Sequence, residues 1–217
     1  MPTEHAWLRA LAGKFIAFEG PDGSGKSTQF RRFVAACRDA GVSVCEVREP
    51  GGTGVGEHIR EVLLDHAQED ITLRAEMLLY MASRAQLVDT RIRPALERGE
   101  LVAADRFVAS TFAYQGAGGG LPEADIRAVA DAALSGCLPD LTVLFDVDEA
   151  TAATRLGPTP DRIEAKGRDY HRRVREGYLA QARADPARFR VIDATRGEEQ
   201  VRYSLMSVLR ARFAPEA

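Results

Sequence analysis

The stretch Gly20-Pro21-Asp22-Gly23-Ser24-Gly25-Lys26-Ser27-Thr28 decides the fold class of this chain. It fills the pattern GxxxxGK(S/T), follows a short apolar run and precedes a segment with helical periodicity. Glycines let such a loop turn its backbone N–H groups toward phosphate oxygens, and the start of the helix adds partial positive charge. Lys26 can reach the β and γ phosphates of a nucleoside triphosphate, and the Ser27 hydroxyl can ligate Mg²⁺. All nine residues are therefore predicted to contact a nucleotide.

Short apolar runs alternate with longer helical segments along the rest of the chain. We expect strands at residues 15–19, 42–47, 101–105, 141–146 and 189–193. We expect helices at residues 26–40, 56–64, 73–98, 123–134, 164–184 and 198–213. Strands that alternate with helices pair in parallel, so this order predicts an α/β fold with a five-stranded parallel sheet and helices on both faces. The segments 115–121 and 157–161 are rich in Gly or Pro and are predicted as mobile loops, and the charged run 161–175 as a solvated face.

The composition is that of an ordinary globular protein. With 217 residues, 45% of them hydrophobic, the chain is predicted to form one domain over residues 1–217. A net charge of -3 gives no indication of nucleic-acid or membrane binding through bulk charge, and the apolar runs are far shorter than the roughly 20 residues that span a bilayer. No signal peptide is indicated, and Cys37, Cys45 and Cys137 lack CxxC spacing. These features favour reduced cysteines in a cytoplasmic protein.

Three arginines indicate a second anion site. Two like unit charges about 4 Å apart repel by ~4 kcal/mol at an effective dielectric of about 20, so an enzyme that phosphorylates an anion needs cations beside it. Arginine is always charged and forks onto phosphate. Arg48, Arg60 and Arg106 lie at or after predicted strand ends, where ligands of a parallel sheet bind. Arg106 is the strongest of these candidates because it directly follows the strand that ends at Asp105.

Tyr80 and Arg84 lie four residues apart on one predicted helical face. Together they could stack on a base and hydrogen-bond to it. The spacing alone favours core packing for Tyr80, because its neighbours in Met77-Leu-Leu-Tyr-Met81 are apolar.

The motifs together resemble the thymidylate kinase family across nearly the whole chain. The phosphate loop is shared by many families, whereas the ordered combination is specific. The matching segments are Phe18-Glu-Gly-Pro-Asp-Gly-Ser-Gly-Lys-Ser-Thr28, Arg48-Glu-Pro-Gly-Gly-Thr53, Glu76-Met-Leu-Leu-Tyr-Met-Ala-Ser-Arg84, Asp105-Arg-Phe107, Ser110-Thr-Phe-Ala-Tyr-Gln-Gly116 and Pro139-Asp-Leu-Thr142. The resemblance implies a P-loop NTPase fold of the nucleoside monophosphate kinase type, with a short lid at about 154–164. It also implies a homodimer that uses ATP and Mg²⁺ to phosphorylate thymidine monophosphate.

The resemblance further implies contacts to the acceptor nucleotide. Asp22 is expected to meet the sugar 3′-hydroxyl, and Tyr114 to crowd the 2′ position. Tyr80 is expected to stack on thymine, with Arg84 bonding its O4. Arg60 and Arg106 resemble the clamp on the acceptor phosphate. The other expected substrate contacts are Arg48, Pro50, Ser110, Thr111 and Gln115. Asp105 is expected to help Ser27 hold magnesium, and the expected catalytic residues are Asp22, Lys26, Arg106, Arg155 and Arg162.

The family has two forms, with a catalytic arginine either in the phosphate loop or in the lid. The loop position here is Gly23, so the chain resembles the second form. Its lid segment offers only Arg155 and Arg162, and Gly157 falls where a catalytic arginine is expected. The sequence leaves open which of the two neutralises the transferring phosphoryl group.

Other functions are compatible with parts of this sequence. A kinase for another deoxynucleotide or a deoxynucleoside would share the fold, but the clamp arginines favour a monophosphate acceptor and Arg84 favours thymine. A nucleotide-binding switch or regulatory module would not need a second ligand pocket, whereas the small number of lid arginines keeps a degenerate, non-catalytic member of the family as an alternative. The chain contains no Asn, which excludes an Asn-Lys-x-Asp guanine-reading motif.

Overall fold

A five-stranded, wholly parallel sheet forms the centre of the computed structural model, which describes residues 6–65, 71–155, 162–163 and 165–214. The strands are β1 (Phe15–Glu19), β2 (Val44–Arg48), β3 (Leu101–Asp105), β4 (Leu141–Asp146) and β5 (Phe189–Asp193), in the order β2-β3-β1-β4-β5. The predicted sheet is confirmed. Only the bounds of β2 differ, since the N–H of Val42 closes the turn after the first helix and Arg48 pairs with Asp105.

Helices cover both faces of this sheet, as predicted. They are α1 (Lys26–Asp39), α2 (Gly54–Leu64), α3 (Leu73–Leu87), α4 (Arg93–Glu97), α5 (Val108–Thr111), α6 (Glu123–Leu134), α7 (Glu149–Ala153), α8 (Arg168–Ala184) and α9 (Glu198–Phe213). Alternate strand residues point to opposite faces. Ile16 and Phe18 accordingly lie in the core with α1 and α9, whereas Phe15 and Ala17 lie in the core with α3 and α6. Among the described residues, no helix is long and apolar enough to cross a membrane.

Local sequence explains where two of these helices begin. The Thr53 side chain accepts a hydrogen bond from the N–H of Gly56, and the Thr72 side chain accepts one from the N–H of Ala75, so each threonine caps the helix that follows it. The helix predicted over 73–98 is a continuous helical run as far as Glu97, with a π-helical turn at Val88–Ile92 between α3 and α4.

The prediction of a mobile loop over 115–121 is wrong in its first half. Phe112–Gly118 is π-helical and continues α5 against α8. A Cβ on Gly118 would lie 2.8 Å from the Tyr170 ring, and one on Gly177 would lie 2.5 Å from the Ala117 Cβ. The glycines therefore allow two helical segments to pack closely, so their abundance does not indicate flexibility here.

The helix predicted to start at 164 begins instead at Arg168. The charged run 161–175 is not simply a solvated face, because Arg162 and Lys166 contact the buried Glu76 and Arg175 pairs with Asp146. The predicted loop 157–161 lies outside the described residues.

Candidate active site

The phosphate loop joins β1 to α1 at the centre of the sheet. Gly23 and Gly25 have φ of 75° and 77°, in the left-handed region that glycine tolerates best. Lys26 is 6% exposed, and its ammonium group forms an ion pair with Asp105 at the end of β3. Burial and the nearby Arg106 lower the pKa of Lys26 to about 7, and the Glu19 and Asp22 carboxylates act in the opposite direction by favouring the charged form. The Ser27 hydroxyl lies 3.3 Å from the same carboxylate.

Gly23 touches the backbone of α7. A Cβ at this position would lie 2.5 Å from the carbonyl oxygen of Ala152, and the backbone φ is positive as well. Any side chain here would collide with α7 unless that helix moved. The packing therefore leaves no room for an arginine at Gly23 in this arrangement of α7.

A cavity of about 210 Å³ opens beside the phosphate loop. Nine of the eleven predicted substrate contacts line it, although they come from five separate segments of the chain. They are Asp22, Pro50, Arg60, Tyr80, Arg106, Ser110, Thr111, Tyr114 and Gln115, and Glu49, Leu64 and Ile163 complete the lining. A larger cavity of about 620 Å³ lies in a groove between α6 and α8 and is lined by none of the nine.

Arg106 joins the cavity to the phosphate loop. It follows β3 with φ of 71°, an uncommon backbone conformation for a non-glycine residue. Its Nη1 donates to the Gly20 carbonyl oxygen at 2.9 Å, to the Tyr178 hydroxyl at 3.1 Å and to the Ser110 hydroxyl at 3.3 Å. Its Nη2 forms an ion pair with Asp22. One guanidinium group is thus bonded both to the phosphate loop, at Gly20 and Asp22, and to Ser110 of the cavity wall.

Asp22 is held in its ionised form. Burial alone would favour the neutral acid, but Arg106, the Tyr114 hydroxyl and Lys26 together lower the pKa of Asp22 below its usual value. The Tyr114 hydroxyl donates to Asp22 at 2.7 Å, and burial raises the pKa of Tyr114 well above 10. Asp22 is therefore an anionic acceptor in the cavity wall, suited to a sugar hydroxyl donor.

Arg84 lies behind the cavity wall and not on its surface. The side chain is 1% exposed and donates to Glu49 at 2.5–3.0 Å, with a further hydrogen bond to the Thr111 hydroxyl at 3.1 Å. Burial raises the pKa of Glu49 to about 7, although Arg84 acts in the opposite direction. Glu49 and Thr111 themselves line the cavity, so they connect Arg84 to it.

The remaining predicted arginines occupy varied positions. Arg60 lines the cavity and donates to the Pro50 carbonyl oxygen at 3.0 Å. Arg48 does not line it; the side chain is half exposed and pairs with Glu57 at 2.7 Å. Arg155 follows α7 and donates to the Ala194 carbonyl oxygen at 2.8 Å, beyond the end of β5. Arg162 donates to the Leu63 carbonyl oxygen at 2.8 Å and pairs with Glu76 at 2.5 Å. Gly157 and the rest of segment 156–161 lie outside the described residues.

Three polar residues of the site were missed from the sequence. Glu19 ends β1 and is fully buried. Glu49 holds Arg84. Tyr178, on α8, bonds both Glu19 and Arg106. A carboxylate at the end of a buried strand was the available signal for Glu19. No comparable signal marks Tyr178, because its sequence neighbours form an ordinary helical pattern.

Comparison with known proteins agrees with this geometry. A family model described as Thymidylate kinase matches residues 18–205. A thymidylate kinase from Deinococcus radiodurans is 49% identical over 203 residues, 92% of this chain and 98% of that protein. One from Leifsonia xyli subsp. xyli is 50% identical over 192 residues, 87% of this chain and 90% of that protein. The crystal structure of thymidylate kinase from Ehrlichia chaffeensis matches with a TM-score of 0.74 at 31% identity, over 92% of this chain and 99% of that chain. The chain therefore belongs to the thymidylate kinase family.

Proposed function

We propose that this protein transfers the γ-phosphoryl group of ATP to thymidine monophosphate in the cavity beside the phosphate loop. ATP-dependent phosphorylation of thymidine monophosphate is the activity of the family to which the chain belongs. The observation that carries the assignment to this cavity is Arg106, because its guanidinium contacts the loop through Gly20 and lines the acceptor pocket. The site for the phosphoryl donor and the site for its acceptor therefore share one cation, the Arg106 guanidinium.

In the proposed reaction the protein positions two anions and neutralises their charge. The loop N–H groups and Lys26 hold the β and γ phosphates of ATP, and Arg106 and Arg60 hold the acceptor phosphate. Asp22 accepts a hydrogen bond from the sugar 3′-hydroxyl, which aligns the acceptor. Tyr80 stacks on thymine, and Thr111 and Gln115 border the base. Positioning of this kind supplies most of the catalysis in phosphoryl transfer.

The residues beside Lys26 also fit magnesium. The Ser27 hydroxyl and the Asp105 carboxylate are hard oxygen donors 3.3 Å apart, and Mg²⁺ in kinases is bound through one or two such groups together with substrate phosphates and water. We propose that these two residues hold the ion, which would neutralise charge on the phosphates.

The substrate choice is the first test. Coupled turnover with a panel of nucleoside monophosphates is expected to favour thymidine monophosphate over the cytidine and guanosine monophosphates by orders of magnitude in kcat/KM. Thymine presents a carbonyl oxygen, O4, where cytosine presents an amino group, so a polar site arranged for one leaves a group unpaired with the other. Leaving one buried polar group unpaired costs about 1–3 kcal/mol, so a single mismatch lowers kcat/KM roughly tenfold to a hundredfold. Similar kcat/KM values across the panel would refute the assignment.

We propose that a lid arginine neutralises the transferring phosphoryl group. Arg155 lies three residues after Ala152, whose backbone touches Gly23 of the phosphate loop. At least one of Arg155→Ala and Arg162→Ala is expected to lower kcat about 10²-fold, the scale of losing one preorganised donor. The KM for thymidine monophosphate should change much less. Wild-type kcat in both single variants and in the double variant would exclude this role.

We further propose that the protein is a single-domain, cytoplasmic homodimer. The free, buried cysteines support a reducing compartment. Val55 and Val62 on α2 and Leu78 on α3 are large apolar residues that are 40–55% exposed, and we propose them as the contact face. Light scattering should give a dimer mass that Leu78→Glu lowers, whereas Tyr203→Glu, on the exposed side of α9, should not change it. A monomer mass for the wild type would contradict the proposal.

A further inference from the structure

The Tyr178 hydroxyl lies at a junction of three groups that belong to other parts of the site. It donates to Glu19 Oε2 at 2.9 Å, lies 2.7 Å from the Ser110 hydroxyl and accepts from Arg106 Nη1 at 3.1 Å. Tyr178 is fully buried on α8, 72 residues along the chain from Arg106. It does not line the acceptor cavity, so any effect on substrate passes through another residue.

Glu19 fixes this junction to the central strand. Its carboxylate accepts from the N–H groups of Phe107 and Ser110 at 2.8 and 3.2 Å, and from the Ser110 hydroxyl at 2.6 Å. With the Tyr178 hydroxyl, four donors converge on one buried carboxylate. A carboxylate bound in this way is rigid, and it ties the segment after β3 to the end of β1.

The orientation of Arg106 depends on this network. Among the described residues, its guanidinium hydrogen bonds run from Nη1 to Gly20, Ser110 and Tyr178 and from Nη2 to Asp22. A guanidinium has five N–H donors, so this pattern leaves donors on the other edge for an anion in the cavity. Without the Tyr178 hydroxyl, the Asp22 carboxylate would be the strongest remaining partner and would decide where the group lies.

We propose that Tyr178, held by Glu19, is a positioning residue that orients Arg106 toward the acceptor phosphate. This inference rests on the proposed function of Arg106 as the phosphate clamp. Tyr178→Phe tests it cleanly, since the ring that packs at 6.1 Å on Tyr114 is retained and only the hydroxyl is lost. Tyr170→Phe is the matched control, because Tyr170 is a buried tyrosine on the same helix whose hydroxyl instead donates to the Tyr114 carbonyl oxygen.

The decisive measurement compares ligands with and without the phosphate. Calorimetry of Tyr178→Phe should show an affinity for thymidine monophosphate lowered about tenfold, the scale of losing one hydrogen bond to a charged group, with the affinity for thymidine unchanged. kcat/KM should fall at least as much. In an Arg106→Ala background the Tyr178→Phe change should add little, because one residue acts through the other.

Three results would overturn the proposal. Tyr178→Phe could lose the same affinity for thymidine as for thymidine monophosphate, or it could bind both ligands as Tyr170→Phe does. Its effect could also add fully to that of Arg106→Ala. The melting temperature of each variant separates a folding defect from a positioning defect. Failure of the wild type to phosphorylate thymidine monophosphate would refute the proposed function instead, and the two affinities could still be compared without turnover.

Discussion

Replacing Lys26 with alanine is expected to lower the turnover number at least about 10³-fold while the protein stays folded. The ammonium group lies at the start of α1 beside Asp105, where it can reach both the β and γ phosphates of a bound nucleotide. Removing it takes away a positive charge that stabilises the loose transition state in a water-excluded site. Losing one preorganised hydrogen-bond donor in such a site lowers kcat about 10²–10³-fold, and losing a full charge lowers it further.

Steady-state kinetics at saturating ATP would measure the loss. Lys14→Ala is the control, since Lys14 precedes β1 outside the phosphate loop and should leave kcat unchanged. Far-UV circular dichroism and a melting curve would verify that Lys26→Ala remains folded, because Asp105 loses its cation. Near-normal turnover in Lys26→Ala would show that the loop does not bind the transferred phosphates as proposed.

Arg106→Ala is expected to lower kcat/KM for thymidine monophosphate about 10³-fold. The change removes the cation that faces the acceptor phosphate and leaves the Asp22 carboxylate without its ion pair. Truncating one partner of a buried, hydrogen-bonded charge pair at a binding site, here the guanidinium and the acceptor phosphate, costs about 2–5 kcal/mol, which corresponds to roughly 30-fold to 5,000-fold in kcat/KM. The KM for ATP should change less, since Arg106 meets the phosphate loop only at the Gly20 carbonyl oxygen and at Asp22.

Arg127→Ala provides the control for a lost arginine. Arg127 is exposed on α6, where it pairs with Glu123, and its removal should leave kcat/KM within about twofold. If Arg106→Ala also kept kcat/KM within a few-fold of the wild type, the acceptor phosphate would have to bind elsewhere than in the 210 Å³ cavity.

The sheet could be predicted from sequence because its signals are local. Four of the five strands have the predicted bounds, since each is a short apolar run between residues that end strands. Phe112–Gly118 could not be predicted, because its helical state depends on α8 packing against it from more than fifty residues away. Glycines that allow close packing and glycines that allow flexibility are identical in sequence.

The site was predicted unevenly for a similar reason. Residues inside compact motifs, such as Asp22 and Tyr114, were identified together and lie around one cavity. The roles of Glu19 and Tyr178 depend on contacts 91 and 159 residues apart in the chain, which no spacing shows. Arg84 was predicted to face the base, but its burial against Glu49 is a tertiary property that helical spacing does not reveal.

The contact between Gly23 and the Ala152 backbone bears on the two placements of the catalytic arginine, in the loop or in the lid, that the family resemblance implies. An arginine at residue 23 would need α7 to withdraw from the loop, yet α7 leads directly to Arg155. Moving the proposed catalytic cation from lid to loop is therefore not a single-step change. The new arginine at residue 23 would fit only after α7 had moved away from the loop. That movement would displace Arg155 as well, because Arg155 follows α7.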